Sequence, residues 1–220
     1  MKALLYKEFK LAMHPICYLF VFLFPFMILI PSYPLGIGFI YVLSCYPILF
    51  LGANKGQQSN DLLFSTLLPV RKKDIVLARI ITIAIMQFTF MAVMAGLLPV
   101  AFLIQKNIPE SVIPGLGLDA FVSVLAFAIV GFSLADLIFF PIYYKHGKSI
   151  VMSTLLTIIG FVIYLGTFTL GLGFWPPYHD FFTGQLWLQF ALFAGSLLIY
   201  IAIHFGVYKI SSKELEKVDF

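Results

Sequence analysis

Asp136 is the carboxylate of this sequence that lies deepest within an apolar stretch. It stands nine residues before Lys145, so about 13 Å from it along a helix. In a membrane span, that spacing predicts a position in the inner half of the bilayer. An ionised group there costs about 2.5–3.5 kcal/mol on insertion scales and should face protein or water. Two interpretations stay open: a gating or pathway residue, and a structural acceptor for a hydrogen bond from a neighbouring helix.

Glu8 and Arg79 are the other two charged side chains placed close to apolar surface. Glu8 lies beside the apolar stripe of a short N-terminal helix. It either meets a partner or a cation on a neighbouring helix, or is an ordinary surface carboxylate. Arg79 lies near the start of a long apolar run, and that opening turn is predicted to stand in the headgroup layer with the guanidinium reaching outward. Arg79 is also a candidate for a gating or pathway role.

The remaining polar residues within apolar runs are few: Gln87, Gln189 and His204. We interpret His204 as a packing residue rather than a proton relay. No cluster of His, Cys and acidic residues at metal-ligand spacing is visible, nor a Ser/His/Asp set. Cys17 and Cys45 lie inside apolar runs and are expected to be inert thiols. We therefore expect no catalytic residue and no cofactor or metal bound by this chain.

The composition explains why so few polar groups are available. Of the 220 residues, 61% are hydrophobic and only 11% are charged, and the mean hydropathy is +1.02. Soluble domains are about 45–50% apolar and about 25% charged. This excludes a soluble enzyme, a disordered tail and a nucleic-acid-binding domain, so no nucleic-acid partner is expected. The chain is predicted to be an integral membrane protein that contacts lipid throughout.

The apolar runs predict an all-α, polytopic membrane protein with six transmembrane helices, because a bilayer core needs about 20 apolar residues per helix. The spans together occupy residues 15–208. The boundary between the first two depends only on the breaker Pro34-Leu35-Gly36. The six predicted spans are 16–33, 37–53, 75–104, 118–142, 150–172 and 187–208.

The basic residues orient these helices. If both ends of the chain lie on one side, all of the 14 Lys and Arg residues except Lys106 fall on that side. An excess of Lys and Arg in short loops marks the cytoplasmic face. The N- and C-termini are therefore predicted to be cytoplasmic, with residues 209–220 forming a cytoplasmic tail. Trp175 and Trp187 flank the last outer connection, where an aromatic belt is expected.

Two cytoplasmic elements are candidates for contact with other molecules. Residues 1–14 are predicted to form a basic amphipathic helix in the membrane plane, ending at His14-Pro15. The loop 54–74 contains a short helix that begins after Ser59, Asn60 and Asp61 and stops at Pro69. Its leucine stripe needs a cover, either the protein's own bundle or a groove on another protein. Both alternatives stay open on the pattern alone.

These elements together resemble a known family. The chain combines an N-terminal K-E-F-K helix, the segment L-L-P-V-R-K-K-D-I-V-L-A-R at 67–79 and F-P-I-Y-Y-K-H-G-K-S at 140–149. In this it resembles the ABC-2 type permease subunits of bacterial ATP-binding-cassette exporters, and among them the membrane subunit of phenol-soluble-modulin-type peptide exporters of Gram-positive bacteria. The resemblance covers the whole chain. It implies a permease in the bacterial plasma membrane that works together with a second permease subunit. We expect the two subunits to be identical.

The resemblance also implies where a motor binds. Two cytoplasmic ATPase subunits would hydrolyse ATP with Mg²⁺, because this chain has no G-x-x-x-x-G-K-[ST] motif with which to hold nucleotide phosphates. The N-terminal helix would form a second ATPase or membrane-surface contact through Lys2, Lys7, Glu8 and Phe9. The coupling helix would contact the ATPase through Asn60, Asp61, Leu62, Leu63, Phe64, Leu67 and Leu68.

The expected function is export of amphipathic peptides or other hydrophobic compounds by alternating access. The chain lacks the extracellular domain of larger relatives, so a cargo cannot be taken from them. Three alternatives stay open. An ion-coupled secondary transporter would need acid or His relays near mid-membrane. A membrane-embedded enzyme would need a clustered polar site. A non-pumping immunity protein against a peptide toxin would share the same fold.

Overall fold

The computed structural model describes residues 2–13, 15–29, 70–105, 121–146, 150–175, 177, 181 and 184–217. The elements within these residues are helical. They are α1 (Lys2–Lys7) with a π-helical continuation (Glu8–Ala12), α2 (Pro15–Leu23) with a 3₁₀ continuation (Phe24–Leu29), α3 (Lys72–Gly96), α4 (Leu98–Gln105), α5 (Phe121–His146), α6 (Ile150–Phe174) and α7 (Leu186–Lys217). The predicted span 37–53 and the coupling helix within 54–74 lie outside the described residues.

Four of these helices, α3, α5, α6 and α7, are long and apolar enough to cross a membrane. They coincide with the third to sixth predicted spans. The segments Lys2–Lys10 and Pro15–Leu29 would together pass the same test, but their axes differ by 83°. This change of direction falls at the break predicted before Pro15. The described residues therefore provide four spans, or five if the bent pair counts as one.

The ends of the spans differ from the expected ones for local reasons. The third predicted span, 75–104, is two helices, because the helical path is interrupted at Leu97. Gly96 favours helix less than other residues do, and Pro99 lacks the N–H that would continue the ladder. Helix α5 continues past Pro141 to His146. Helix α7 runs on through Lys217, so the predicted tail is a helical extension of the last span as far as Lys217.

Helices α5 and α7 run parallel to each other and antiparallel to α3, so the end of α5, the end of α7 and the start of α3 come together. Lys73 at the start of α3 forms an ion pair with Glu216 at the end of α7, with Nζ and Oε1 3.3 Å apart. Lys145, at the end of α5, lies close enough to Glu214 to interact with it electrostatically. Helix α1 packs on α3 at the same end, where Leu4 contacts Ile75 and Ala78. We call this side of the bundle the basic end.

Helix α5 lies at the centre of the described bundle, between α6 and α7. The buried share of the apolar segment is 61% in α3 and 67% in α5, but only 22% in α6 and 17% in α7. The large fully buried aromatic side chains belong mainly to α5, among them Phe132, Phe139, Phe140 and Tyr144. The outward faces of α6 and α7 are apolar and exposed. Such faces suit lipid or another subunit.

Of the glycines that the structure describes, Gly131 and Gly160 lie at the closest helix packing. A Cβ atom added to Gly131 of α5 would lie 2.9 Å from Phe161 of α6, and one added to Gly160 would lie 2.5 Å from Ile138. Both glycines therefore permit the close approach of α5 and α6. The small-xxx-small pairs in the sequence end at Gly96, Gly195 and Gly206, and a Cβ atom at each of these would meet nothing within 4 Å.

Candidate functional site

A buried cluster of four polar side chains joins α3, α5 and α7. We call Gln87, Asp136, Tyr200 and His204 the polar cluster. Asp136 is fully buried and Gln87 is 1% exposed. The Nε2 atom of His204 lies 2.8 Å from Oδ2 of Asp136. Gln87 donates from Nε2 to the same oxygen over 3.1 Å, and the Tyr200 hydroxyl donates to Oε1 of Gln87 over 2.6 Å.

Helical periodicity explains why these residues meet. Tyr200 and His204 are four residues apart on α7, so they share one face, and their rings stack with centroids 3.8 Å apart. His204 Nδ1 lies 2.8 Å from the carbonyl oxygen of Tyr200. Gln87 lies on the buried face of α3, between Ile83 and Phe90. Each side chain therefore points into the contact between helices rather than toward lipid.

The polar cluster lies nearer the basic end than the other end of the bundle. His204 precedes Lys209 by five residues, which is about 7.5 Å along α7. The position of Asp136 in the half of the bundle next to Lys145 agrees with the expectation from its spacing. Asp136 accepts a hydrogen bond from Gln87 of α3 and shares a second one with His204 of α7. A gating role for it stays a prediction.

Sequence reasoning missed the cluster itself. His204 was expected to be a packing residue, yet its side chain is hydrogen-bonded to the most deeply buried carboxylate. One signal was available, because Tyr200 and His204 place two polar groups on the same face of an apolar helix. The sequence alone does not reveal which helix carries the complementary group.

A second buried polar site joins the N-terminal helix to the start of α3. Glu8 is 3% exposed and accepts two hydrogen bonds from Arg79, which is also 3% exposed. Arg79 donates from Nε to Oε2 over 2.9 Å and from Nη2 to Oε1 over 3.1 Å. Lys7 adds a longer contact of 3.5 Å between Nζ and Oε1. We call Glu8 and Arg79 the N-terminal ion pair.

The N-terminal ion pair corrects the expectation for Arg79. Its guanidinium does not reach outward into the headgroups but is enclosed by the chain and paired with Glu8. For Glu8, the structure selects the interpretation that a cation on a neighbouring helix meets it. Because a bidentate guanidinium–carboxylate contact fixes both distance and orientation, it holds the N-terminal helix in a defined position on α3.

The N-terminal helix therefore exposes fewer of the residues that were predicted to contact an ATPase or the membrane surface. Lys7 is 7% exposed and faces inward together with Glu8. Lys2, Tyr6 and Lys10 are exposed, and Lys10 donates to the Tyr6 hydroxyl over 2.6 Å. Phe9 is partly buried against the main core, and its carbonyl accepts a hydrogen bond from the Tyr18 hydroxyl. This bond links the N-terminal helix to α2 as well.

An apolar cavity of about 600 Å³ opens between α5, α6 and α7. Phe127 stacks on both Tyr164 and Phe168 along its wall, and the Tyr164 hydroxyl donates to the Phe127 carbonyl over 3.0 Å. Trp175 lies at the end of α6 where the helix leaves the bundle. The wall is formed by Ala126, Phe127, Val130, Tyr164, Thr167, Phe168, Gly171, Trp175, Leu188, Ala191, Leu192, Gly195, Ser196 and Ile199.

The structure tests few of the expected contact residues. The seven residues of the coupling helix that are predicted to contact an ATPase lie outside the described residues: Asn60, Asp61, Leu62, Leu63, Phe64, Leu67 and Leu68. Among the described residues, no three His, Cys, Asp or Glu side chains come together as a metal site would require. The polar cluster and the N-terminal ion pair are therefore the two arrangements that the structure adds.

Comparison with known proteins assigns the chain to a family. A family model described as an ABC-2 family transporter protein matches residues 3–215, from the N-terminal helix almost to the end of α7. No curated protein and no solved structure matches the chain. The match to the family model extends over nearly the whole sequence. It therefore includes the N-terminal helix, the described spans and both buried polar sites. The chain belongs to the ABC-2 transporter family of membrane proteins.

Proposed function

We propose that this chain is the permease subunit of an ATP-binding-cassette exporter in the bacterial plasma membrane. The observation that carries the proposal is the ABC-2 family match over residues 3–215. Proteins of this family are membrane components that associate with a separate ABC ATPase. Two ATPase subunits bind two copies of the permease, and ATP and Mg²⁺ are held by the ATPases. The permease provides the path across the membrane and carries out no chemistry.

The connection between the coupling loop and α3 gives the ATPase a mechanical contact with the bundle. Helix α3 begins at Lys72, directly after the predicted coupling helix, so a displacement of the loop acts first on α3. Two side chains of α3, Arg79 and Gln87, lie eight residues apart and form hydrogen bonds with other elements. Arg79 binds the N-terminal helix, and Gln87 binds α5 and α7 through the polar cluster. A motion of α3 is thus transmitted to three other elements.

The N-terminal helix supplies a second surface for the ATPase or for lipid headgroups. Since Lys7 and Glu8 are buried in the chain, we assign this contact to the exposed residues Lys2, Tyr6 and Lys10. Phe9 supports the helix from within. The basic end of the bundle is the cytoplasmic end in this proposal, because Lys and Arg accumulate on the cytoplasmic side of membrane proteins.

A reconstitution experiment tests the proposal. The tagged permease is purified in mild detergent, and a protein with Walker motifs is expected to co-purify and to show higher ATPase activity with the permease than without it. Leu63→Asp with Leu67→Asp should abolish this stimulation, because two charges would replace the apolar contact surface of the coupling helix. The measurement is ATP hydrolysis in proteoliposomes.

The matched control is Ser65→Asp with Thr66→Asp, which adds the same charge to polar residues of the same loop. The control should retain stimulation. If no Walker-motif protein co-purifies, the exporter assignment fails. If both double variants stimulate the ATPase like the wild type, the family assignment stands but the docking role of this loop is lost.

For the cargo, we propose amphipathic peptides. The apolar, aromatic wall of the cavity between α5, α6 and α7 and the resemblance to phenol-soluble-modulin-type exporters support this class. Inverted membrane vesicles should accumulate a fluorescent amphipathic helical peptide when ATP is supplied. A peptide of the same composition with a scrambled, non-amphipathic order should be transported several-fold more slowly. Equal uptake of both peptides would contradict the assignment.

An ion-coupled carrier is the second candidate, and the polar cluster is the observation that favours it. Asp136 and His204 are residue types that ion-coupled carriers use inside the membrane. Uptake that follows an imposed ion gradient without nucleotide would establish this alternative. Uptake that requires ATP hydrolysis would exclude it.

A further inference from the structure

Both ring nitrogens of His204 face an oxygen atom, and this restricts where its protons lie. Nδ1 is 2.8 Å from the backbone oxygen of Tyr200, and Nε2 is 2.8 Å from Oδ2 of Asp136. A backbone carbonyl accepts hydrogen bonds and never donates them, so Nδ1 carries a hydrogen. The contact between Nε2 and Oδ2 is then a hydrogen bond only when a proton lies on one of these two atoms.

Two arrangements satisfy this condition, and they hold the same number of protons. Either an imidazolium faces a carboxylate, or a neutral imidazole accepts from a protonated carboxyl group. The pair is electrically neutral overall in both. If the proton were lost, two lone pairs would face each other across 2.8 Å, and a net negative charge would lie in a fully buried position. The packing of α7 on α5 therefore requires one proton.

Among the residues that the structure describes, no other charged side chain faces this pair. From α3 the pair is faced by the Gln87 amide, which already donates to Oδ2 of Asp136. From α7 it is faced by the Tyr200 hydroxyl, whose proton is given to Gln87. Arg79 of α3 lies further along its helix and is paired with Glu8. Lys145 of α5 and Lys209 of α7 also lie further along their helices. Oδ1 of Asp136 has no hydrogen-bond partner among the described residues.

We propose that Asp136 and His204 form a proton-binding site inside the membrane, which holds one proton while α7 is packed against α5 and releases it when these helices separate. On release the proton passes to water, leaving a carboxylate on Asp136 and a neutral His204 with hydrogen on Nδ1. This proposal goes beyond the proposed function, because it requires neither an ATPase nor a cargo.

The two side chains of the pair differ in burial. The side chain of Asp136 is 0% exposed, whereas that of His204 is 10% exposed. Helix α7 is also the least buried of the four described spans. His204 is therefore the less enclosed member of the pair, and a displacement of α7 opens the site more readily than a displacement of α5.

The site gives stability a specific dependence on pH. In the separated or unfolded state, His204 is in water and loses its proton above about pH 6.5. Above that pH the packed state holds one proton more than the separated state, so stability falls as pH rises. The contribution approaches a tenfold change in the folding equilibrium constant per pH unit. Between about pH 5 and 6 both states hold one proton. The stabilisation is then fully present and no longer depends on pH.

The first test compares the full-length wild type with Asp136→Asn in the same detergent. An amide nitrogen in the place of Oδ2 donates to neutral His204 and, once the Gln87 amide turns over, to Oε1 of Gln87. The variant therefore keeps a hydrogen-bonded network without the titratable proton. Unfolding is measured from about pH 6.5 to 9. For each pH unit in this range, the folding equilibrium constant of the wild type should fall by up to about tenfold more than that of the variant. Equal pH slopes for the two proteins would overturn the proposal.

A complementary variant tests the role of charge. His204→Gln retains an amide donor to Asp136 but no second proton, so the carboxylate is left without a neutralising partner. It should be destabilised at pH 8, and Asp136→Asn in the same chain should restore stability. A single variant as stable as the wild type at pH 8 would contradict the requirement for a proton.

Nitrogen NMR of ¹⁵N-histidine-labelled wild type in nanodiscs provides the direct measurement, and it decides the matter should any variant fail to fold. The His204 signals are assigned by their absence from a His204→Gln or His204→Asn sample, or by their correlation with the Tyr200 and Asp136 environment. At pH 8 we expect a hydrogen on Nδ1 and an Nε2 that either carries the shared proton or accepts it in a hydrogen bond from the Asp136 carboxyl group. An Nε2 with the shift of a free lone pair in a neutral ring at this pH would overturn the proposal, as would an Nδ1 without hydrogen.

Discussion

At the scale of single residues, two buried polar contacts distinguish this chain from a merely apolar bundle. Glu8 and Arg79 form a bidentate ion pair with both side chains 3–4% exposed. In the polar cluster, one carboxyl oxygen of Asp136 forms hydrogen bonds with side chains of two other helices. Taking charges out of water is unfavourable unless they are paired and hydrogen-bonded. Both contacts therefore tie elements together, since removing one partner leaves the other buried without compensation.

The N-terminal ion pair leads to a prediction about stability. Glu8→Gln leaves the Arg79 charge buried without a counter-charge, so the free energy of unfolding in mild detergent should fall by about 3–5 kcal/mol. Glu8→Leu with Arg79→Met removes both charges and should recover most of that loss. Chemical or thermal unfolding of the purified chain provides the measurement.

The control for this prediction is an exposed ion pair at the basic end, between Lys73 and Glu216. The side chains of Lys73 and Glu216 are 54% and 48% exposed, and exposed pairs contribute about 0–1 kcal/mol. Lys73→Gln should therefore change stability little. If Glu8→Gln and Lys73→Gln proved equally mild, the N-terminal ion pair would not hold the N-terminal helix in place.

At the scale of elements, the contact between α5 and α6 depends on two glycines and a group of aromatic rings. Gly131 lies against Phe161 and Tyr164, whereas Gly206 of α7 faces open space. The same residue type therefore has opposite roles in two helices. At Gly131 the missing side chain permits close packing, and at Gly206 it only lowers helix propensity.

These roles predict opposite effects of one substitution. A Cβ atom at position 131 would lie 2.9 Å from Phe161 Cε2 and 3.2 Å from Tyr164 Cε1. Gly131→Ala should therefore destabilise the protein by about 1–3 kcal/mol through overpacking. Gly206→Ala should be neutral or stabilise by up to about 1 kcal/mol, because alanine favours helix. Melting temperatures in detergent measure both, and shifts of the same sign and size would contradict this account.

At the scale of the whole molecule, charge is distributed unequally between the two ends of the bundle. The starts of α1 and α3 and the ends of α5 and α7 bring basic residues to one end, held together by Lys73 and Glu216. This arrangement agrees with the orientation inferred from the loops. In the orientation that we propose, this end is cytoplasmic, so the N-terminal helix and the end of α7 lie on the side where ATP is available.

Cysteine labelling tests this orientation. Lys106→Cys should react with a membrane-impermeant maleimide in intact cells, because residue 106 is predicted to lie outside. Lys213→Cys, in the helical extension at the basic end, should react only after lysis. The unmodified chain is the background control, since Cys17 is fully buried and Cys45 lies in a predicted span. Labelling of Lys213→Cys in intact cells would reverse the topology.

The ends of the helices show how far the sequence could be interpreted. Residue 150 was predicted as the start of the fifth span, and α6 begins there, because the apolar run that starts at Ile150 defines it locally. The interruption at Leu97 was not predicted, although Gly96 and Pro99 mark it. The extension of α7 to Lys217 was not predicted as helix either, since its buried residues Ser211 and Leu215 depend on contacts with other elements.

Composition and local periodicity are enough to predict that this protein lies in the membrane, that its spans are helical and that its cations favour one side. The contacts of Glu8 with Arg79 and of His204 with Asp136 become visible only in the folded chain, because these pairs are separated by 71 and 68 positions. Helical periodicity fixes the face on which a side chain lies. It does not fix which other helix packs against that face, and a buried polar group depends for its partner on that packing.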